Sequence, residues 1–192
     1  MDTDLKLMLR VRSGDSESFD ELLRRHRAPL LNYFYRMVRD HSLAEDLAQE
    51  VFLRVYRARE RYEPDAKFTT WLYRIATNLA LNALRDRRGK WNTAEAEDGD
   101  AGELQEARFV DSRPTVEQEL MRSDRGRLVR EAVEALPENQ RAAVILHKYQ
   151  DVDYRQIAQI LDISESAVKS LLFRAYESLR VRLEPLLKGG EL

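Results

Sequence analysis

The chain has 192 residues, of which 43% are hydrophobic and 34% charged, enough for one sizeable core or two small ones. Its longest stretch without a charged residue, Ile75 to Leu84, covers ten positions against the roughly 20 that a membrane-spanning helix needs. Zero cysteines exclude a disulfide framework, a thiol nucleophile and any thiolate metal site.

The amino terminus carries charges at Asp2, Asp4, Lys6, Arg10 and Arg12, which leaves no apolar segment for a secretory signal, so the chain is expected to stay in the cytoplasm without inserting into a membrane. Its net charge of -2 hides a division. Residues 19–90 carry a net +5 and residues 120–188 a net +2, whereas residues 91–119 carry -7. The acidic stretch also holds Gly99, Gly102 and Pro114 and few side chains able to bury, which predicts a linker at about 89–114 between domains at 1–88 and 115–190. Five of its acids, Glu95, Glu97, Asp98, Asp100 and Glu103, fall within nine residues.

In chain order, Phe19, Leu22 and Leu23 make a short apolar stripe, and Pro29 predicts the first turn of a second helix carrying Leu30, Leu31, Phe34 and Val38. Ser42 with Glu45 forms a capping-box pattern that opens a helix whose Leu43, Leu47, Val51 and Val55 recur every four residues, its opposite side charged. Pro64 marks a loop before a helix from about Thr70 to Arg88. At about 100° per residue, Leu72, Ile75, Ala76, Leu79 and Ala83 share a core face of that helix. Trp71, Arg74, Asn78, Asn82 and Arg85 share a neighbouring stripe. This composition fits a solvated face with one half-buried Trp. It also fits a nucleic-acid face, since Arg can contact phosphate, Asn can pair with a base edge and Trp can stack on an unpaired base.

The second half holds a helix built on Leu128, Val129, Ala132, Val133 and Leu136, then another opened by Pro137. In residues 153–180, Asp153 can cap a short helix with Ile157, Ala158 and Leu161; Asp162, Ile163 and Ser164 make a turn; and Ser164 can cap a longer helix. Short helix, tight turn and longer helix form a helix-turn-helix, with Ile163 and Val168 plugging the angle between the helices. Asp162 stands where the chain needs positive φ, which Asp tolerates better than most residues. Val168, Leu172, Ala175 and Leu179 fall on the core side of the longer helix. Ser166, Lys169, Ser170, Phe173, Arg174 and Glu177 lie opposite, as a helix entering a major groove requires.

The segments DLAQEVFLRVYR (46–57), FTTWLYRIATNLALNALR (68–85) and LPENQRAAVILHKYQDVDYRQIAQILDISESAVKSLLFRAYESLR (136–180) resemble, in this order, the two conserved domains of extracytoplasmic-function sigma factors of bacterial RNA polymerase. The resemblance implies an all-α fold of two small domains and no catalytic activity, with the core enzyme supplying the chemistry. By the resemblance, Asp46, Gln49, Glu50, Arg54 and Arg57 bind the clamp coiled coil of the β′ subunit, and the β flap is a further polymerase contact. Asn78 and the loop from Tyr62 through Lys67 to Phe68 capture a flipped base of the minus-ten promoter element. Trp71, Tyr73, Arg74, Asn82 and Arg85 flank the melted strand. Ser164, Ser166, Lys169, Ser170, Phe173 and Arg174 belong to the helix that reads the minus-thirty-five element as duplex. Leu171 departs from the basic residue common in the family. An anti-sigma factor that masks the polymerase-binding surfaces is a further implied partner.

Nothing points to an enzyme or a cofactor. There is no glycine-rich phosphate loop, and His26, His41 and His147 lack the spacing of a metal helix. The remaining alternatives are a homodimeric helix-turn-helix regulator and a helical adaptor that binds only protein.

Overall fold

The structure, a computed structural model, describes residues 3–94 and 124–188. Among these residues are eight α-helices, one 3-10 turn and no strand. The first half holds α1 (Thr3–Arg12), α2 (Ser16–Val38), α3 (His41–Ala58), a 3-10 turn (Arg59–Arg61) and α4 (Phe68–Ala94); the second holds α5 (Asp124–Glu134), α6 (Glu138–Tyr149), α7 (Tyr154–Leu161) and α8 (Glu165–Lys188). The linker acids Glu95, Glu97, Asp98, Asp100 and Glu103 lie outside the described residues. Helix α4 extends to Ala94, six residues into the stretch read as linker.

Several local expectations are corrected. Helix α1 was not legible as an element because charges interrupt its apolar residues, yet Met8 and Val11 are buried and Asp4 anchors it to α2 through Arg25 at 3.1 Å and His26 at 2.9 Å. Gly14, at φ +95°, supplies the left-handed residue that lets the chain reverse into α2. Pro29 opens no helix, because α2 runs through it from Ser16 to Val38. An interior proline costs about 3 kcal/mol; Leu22, Leu30, Tyr33, Phe34 and Met37, buried on both sides of it, offset that, each fully buried side chain contributing about 1.5–3 kcal/mol. The N-cap of α3 is Asp40, whose carboxylate accepts from the Leu43 amide at 3.0 Å, so the Ser42 and Glu45 pattern goes unused.

Helices α1 to α4 pack as a bundle in which α2 touches each of the other three, while α5, α6 and α7 pack against α8 or one another. The halves are not separate in this structure. Buried side chains form one connected cluster running from Met8 to Ala175, joined where α4 meets α7 and where α2 and α4 meet α6.

Candidate nucleic-acid and polymerase interfaces

Helix α4 is held in rotation by its core side. Leu72, Ala76, Leu79 and Ala80 are buried, and the fully buried Thr77 hydroxyl shares a 2.8 Å hydrogen bond with Tyr33 of α2. That packing turns Arg74, Asn78, Asn82 and Arg85 to solvent and leaves Trp71 half-buried. The Trp71 ring leans on Tyr62 at 4.9 Å and on Phe68 at 6.0 Å between centroids. Tyr62 and Phe68 are themselves buried and prop the Trp ring from below. Lys67 of the same loop is exposed. Tyr73 is also withdrawn: it is 5% exposed and its hydroxyl donates to Gln150 Oε1 at 2.5 Å, while burial raises its pKa above the ordinary phenol value. The surface that remains is two amides, two guanidiniums and an indole edge on one stripe.

The second-half motif is built as its spacing requires. Asp153 accepts from the Gln156 amide at 2.8 Å and Gln156 returns a bond from the Asp153 amide, closing a capping box. Asp162 takes the left-handed conformation at φ 55°, and the Ile163 amide donates back to the Ala158 carbonyl at 3.0 Å. Ser164 Oγ accepts from the Ala167 amide at 3.2 Å. Val168, Leu172 and Ala175 are buried and Leu179 partly so. Ile163 is a correction: it is 38% exposed, whereas Val168 is fully buried. On the far side Ser164, Ser166, Lys169, Ser170, Phe173 and Arg174 are all exposed, with Phe173 at 68% the most exposed large hydrophobic residue among those described. Two cations, three small hydroxyls and a bare ring on one helical face match the chemistry of phosphates, base edges and thymine methyls.

The first half, at residues 22–90, matches the family model for sigma-70 region 2, and residues 126–179 match that for sigma-70 region 4. The RNA polymerase sigma-H factor of Pseudomonas aeruginosa is 35% identical over 187 residues, covering 96% of both chains. The extracytoplasmic-function (ECF) RNA polymerase sigma-E factor of Escherichia coli K12 is 34% identical over 189 residues, covering 97% of both. The chain belongs to the ECF sigma factors. Two solved structures share the fold: CnrH in complex with the cytosolic domain of CnrY (TM-score 0.70, 21% identity, 96% of this chain and 99% of that one) and the sigma factor RpoE in complex with the anti-sigma factor NepR from Bartonella quintana (TM-score 0.66, 20% identity, 88% and 98%). A sigma factor directs transcription initiation by RNA polymerase, and an alternative sigma factor is what these matches make this chain.

In this sigma factor the stripe on α4 and the face of α3 both fall within region 2. Leu47, Val51 and Val55 of α3 are buried, Asp46, Gln49, Arg54 and Arg57 are exposed and Glu50 is half-exposed. Arg54 donates to Glu50 at 2.7 Å, which holds that carboxyl below its usual pKa. The outer side is charged but not throughout. Leu53 and Tyr56 are 49% and 44% exposed, and with Phe19, Leu23, Leu31 and Phe52 they line an apolar groove of about 1,140 Å³ between α2 and α3, edged by Gln49 and Glu45. Sequence reasoning passed over this groove, although apolar residues at 52, 53 and 56, off the four-residue stripe, were a signal for it. The three histidines serve packing: His26 pairs with Asp4, His41 stacks on Tyr35 and His147 packs edge-on to Tyr154. No group of three or more His, Asp or Glu among the described residues is arranged to hold a metal, and no described helix is long and apolar enough to cross a membrane.

Proposed function

We propose that this sigma factor, acting in the cytoplasm and without catalytic activity of its own, divides promoter recognition between its two halves. The exposed face of α8 enters the major groove of the minus-thirty-five element, with Lys169 and Arg174 toward phosphates or guanine, Ser164, Ser166 and Ser170 allowing close approach, and Phe173 meeting a thymine methyl. The stripe of Trp71, Arg74, Asn78, Asn82 and Arg85, with Lys67 beside it, holds the melted minus-ten strand, and the Asn78 amide takes the edge of an extruded base. Tyr62 and Phe68 act by propping Trp71. Asp46, Gln49, Glu50, Arg54 and Arg57 form the charged border of an apolar seat for the β′ clamp coiled coil, which the α2/α3 groove extends, and the second half meets the β flap. A cytosolic anti-sigma partner is part of the same reading, supported by the complexes in which the similar structures were solved.

The observation that carries this reading is the exposed polar face of α8 opposite a fully buried Val168, Leu172 and Ala175, in a chain that belongs to the ECF sigma factors. Run-off transcription with purified core polymerase on a pool of genomic fragments tests it. Added sigma factor is expected to yield transcripts whose starts share one upstream pair of elements. Starts identical with and without the chain would refute the reading.

A further inference from the structure

Helix α1 ends before residue 22, where the match to sigma-70 region 2 begins, and it holds none of the residues assigned to DNA or polymerase. It nevertheless packs against three elements: α2, the 3-10 turn and α4. The last two flank the loop from Tyr62 to Phe68. Met8 and Val11 of α1 are 0% and 2% exposed, so the helix is seated in the core and does not merely trail from α2.

Two polar connections carry α1 to that loop. From its last turn, the Arg12 guanidinium donates to the Tyr62 carbonyl at 3.5 Å, where the chain leaves the 3-10 turn, and the Tyr62 amide donates to the Arg59 carbonyl at 3.4 Å. From its first turn, Asp4 accepts from Arg25 at 3.1 Å and from His26 Nε2 at 2.9 Å. The His26 ring, oriented by that bond, lies 5.4 Å from the ring of the fully buried Phe68, within the range of favourable ring pairs. Phe68 meets Tyr62 edge-on at 6.4 Å. The loop thus rests on α1 at both ends, its start on Arg12 directly and its end on Asp4 through His26. Those ends carry the two rings on which Trp71 leans, and an indole stacks on an extruded base only where its plane is already held.

We propose that α1 is a positioning element for capture of the melted minus-ten strand, in which Arg12, and Asp4 acting through His26, fix the Tyr62 and Phe68 rings and thereby the attitude of Trp71. None of the three touches the strand. The inference rests on the proposed function for what Trp71 binds; the bracing of Trp71 by α1 does not.

Trp91→Phe leaves Trp71 as the one tryptophan of the chain, so acrylamide quenching of the free full-length protein reports on it. In that background Arg12→Ala, which removes an exposed side chain, is expected to raise the quenching constant of Trp71 about two-fold. Its holoenzyme is expected to open about five-fold fewer complexes by permanganate reactivity on a promoter found by run-off, with core affinity and closed-complex affinity at parent values. Arg12→Lys keeps a donor and is expected to recover most of the opening. Asp4→Ala is expected to reproduce both defects; should it unfold α1 by circular dichroism, Arg12→Ala alone decides. Unchanged quenching or unchanged opening in Arg12→Ala overturns the proposal. So does a loss of opening that Arg12→Lys does not recover, or one matched by an equal fall in core affinity, which a merely structural helix predicts. Trp71→Ala, run alongside, separates the two readings. If it opens the promoter as the parent does, the assignment of the stripe to the minus-ten strand is refuted and the proposal with it; if it is defective while Arg12→Ala is normal, the proposal alone fails.

Discussion

The hydrogen bond between Tyr33 and Thr77 sets which residues α4 shows to solvent, and a double-mutant cycle measures it. Both side chains are fully buried and their oxygens lie 2.8 Å apart. Tyr33→Phe deletes one hydroxyl and strands the other, a loss of about 1–3 kcal/mol for a buried group left without its partner. Thr77 can recover part of that by donating to the carbonyl four residues earlier in its own helix, which puts Tyr33→Phe at the low end of the range. Thr77→Val keeps the shape but leaves the Tyr33 hydroxyl with no equivalent escape, which puts it at the high end. The double variant replaces both partners by apolar groups of similar shape and is expected within about 1 kcal/mol of wild type. Urea titrations followed by circular dichroism would give a favourable coupling of about 1–3 kcal/mol, with unchanged denaturant slopes. If the two single losses simply add in the double variant, the bond does not fix α4, and the account of why Asn78 faces outward fails.

Burial raises the pKa of both Tyr33 and Tyr73, so the folded chain keeps phenol protons that the unfolded chain releases near pH 10. Stability from these groups is full below that value and is lost as pH rises above it, an alkaline slope that Tyr33→Phe should flatten in denaturant titrations between pH 9 and 11.5. Arg174→Ala is expected to weaken closed-complex binding by about 1–3 kcal/mol, as measured by footprint titration on a promoter found by run-off, while strand opening per bound complex stays normal. Asn78→Ala is expected to bind core and the upstream element yet open few complexes by permanganate reactivity, with partial relief on a template mismatched at the minus-ten element. Charge reversal at both Asp46 and Glu50 should weaken core binding in fluorescence titration without changing the urea midpoint, since neither side chain is buried.

The contrast between α8 and α4 shows what a sequence makes legible. In the helix-turn-helix every determinant is local: Asp153 caps three residues ahead, Asp162 turns the chain, Ser164 caps again, and the 100° step alone separates Val168, Leu172 and Ala175 from Lys169, Phe173 and Arg174. Spacing within a dozen residues carries that information, and the structure returns it with only Ile163 misplaced. The stripe of Arg74, Asn78, Asn82 and Arg85 was legible for the same reason. The burial of Tyr62, Phe68 and Tyr73 was not, because an aromatic beside a polar stripe reads identically whether it faces solvent or a neighbouring helix, and the Gln150 that bonds Tyr73 lies 77 residues away. Pro29 and the N-cap of α3 failed differently. A local rule was applied correctly and then outweighed, in the first case by the apolar side chains of α2 that bury on either side of the proline. In the second, Asp40, two residues upstream of Ser42, bonded the Leu43 amide. The apolar groove of α2 and α3 escaped notice because each of its walls, taken alone, is an ordinary helix face. Phe19 and Leu23 acquire meaning only opposite Phe52 and Tyr56. What a chain exposes at long range is therefore decided by pairings such as Tyr73 with Gln150 and Met37 with Arg141.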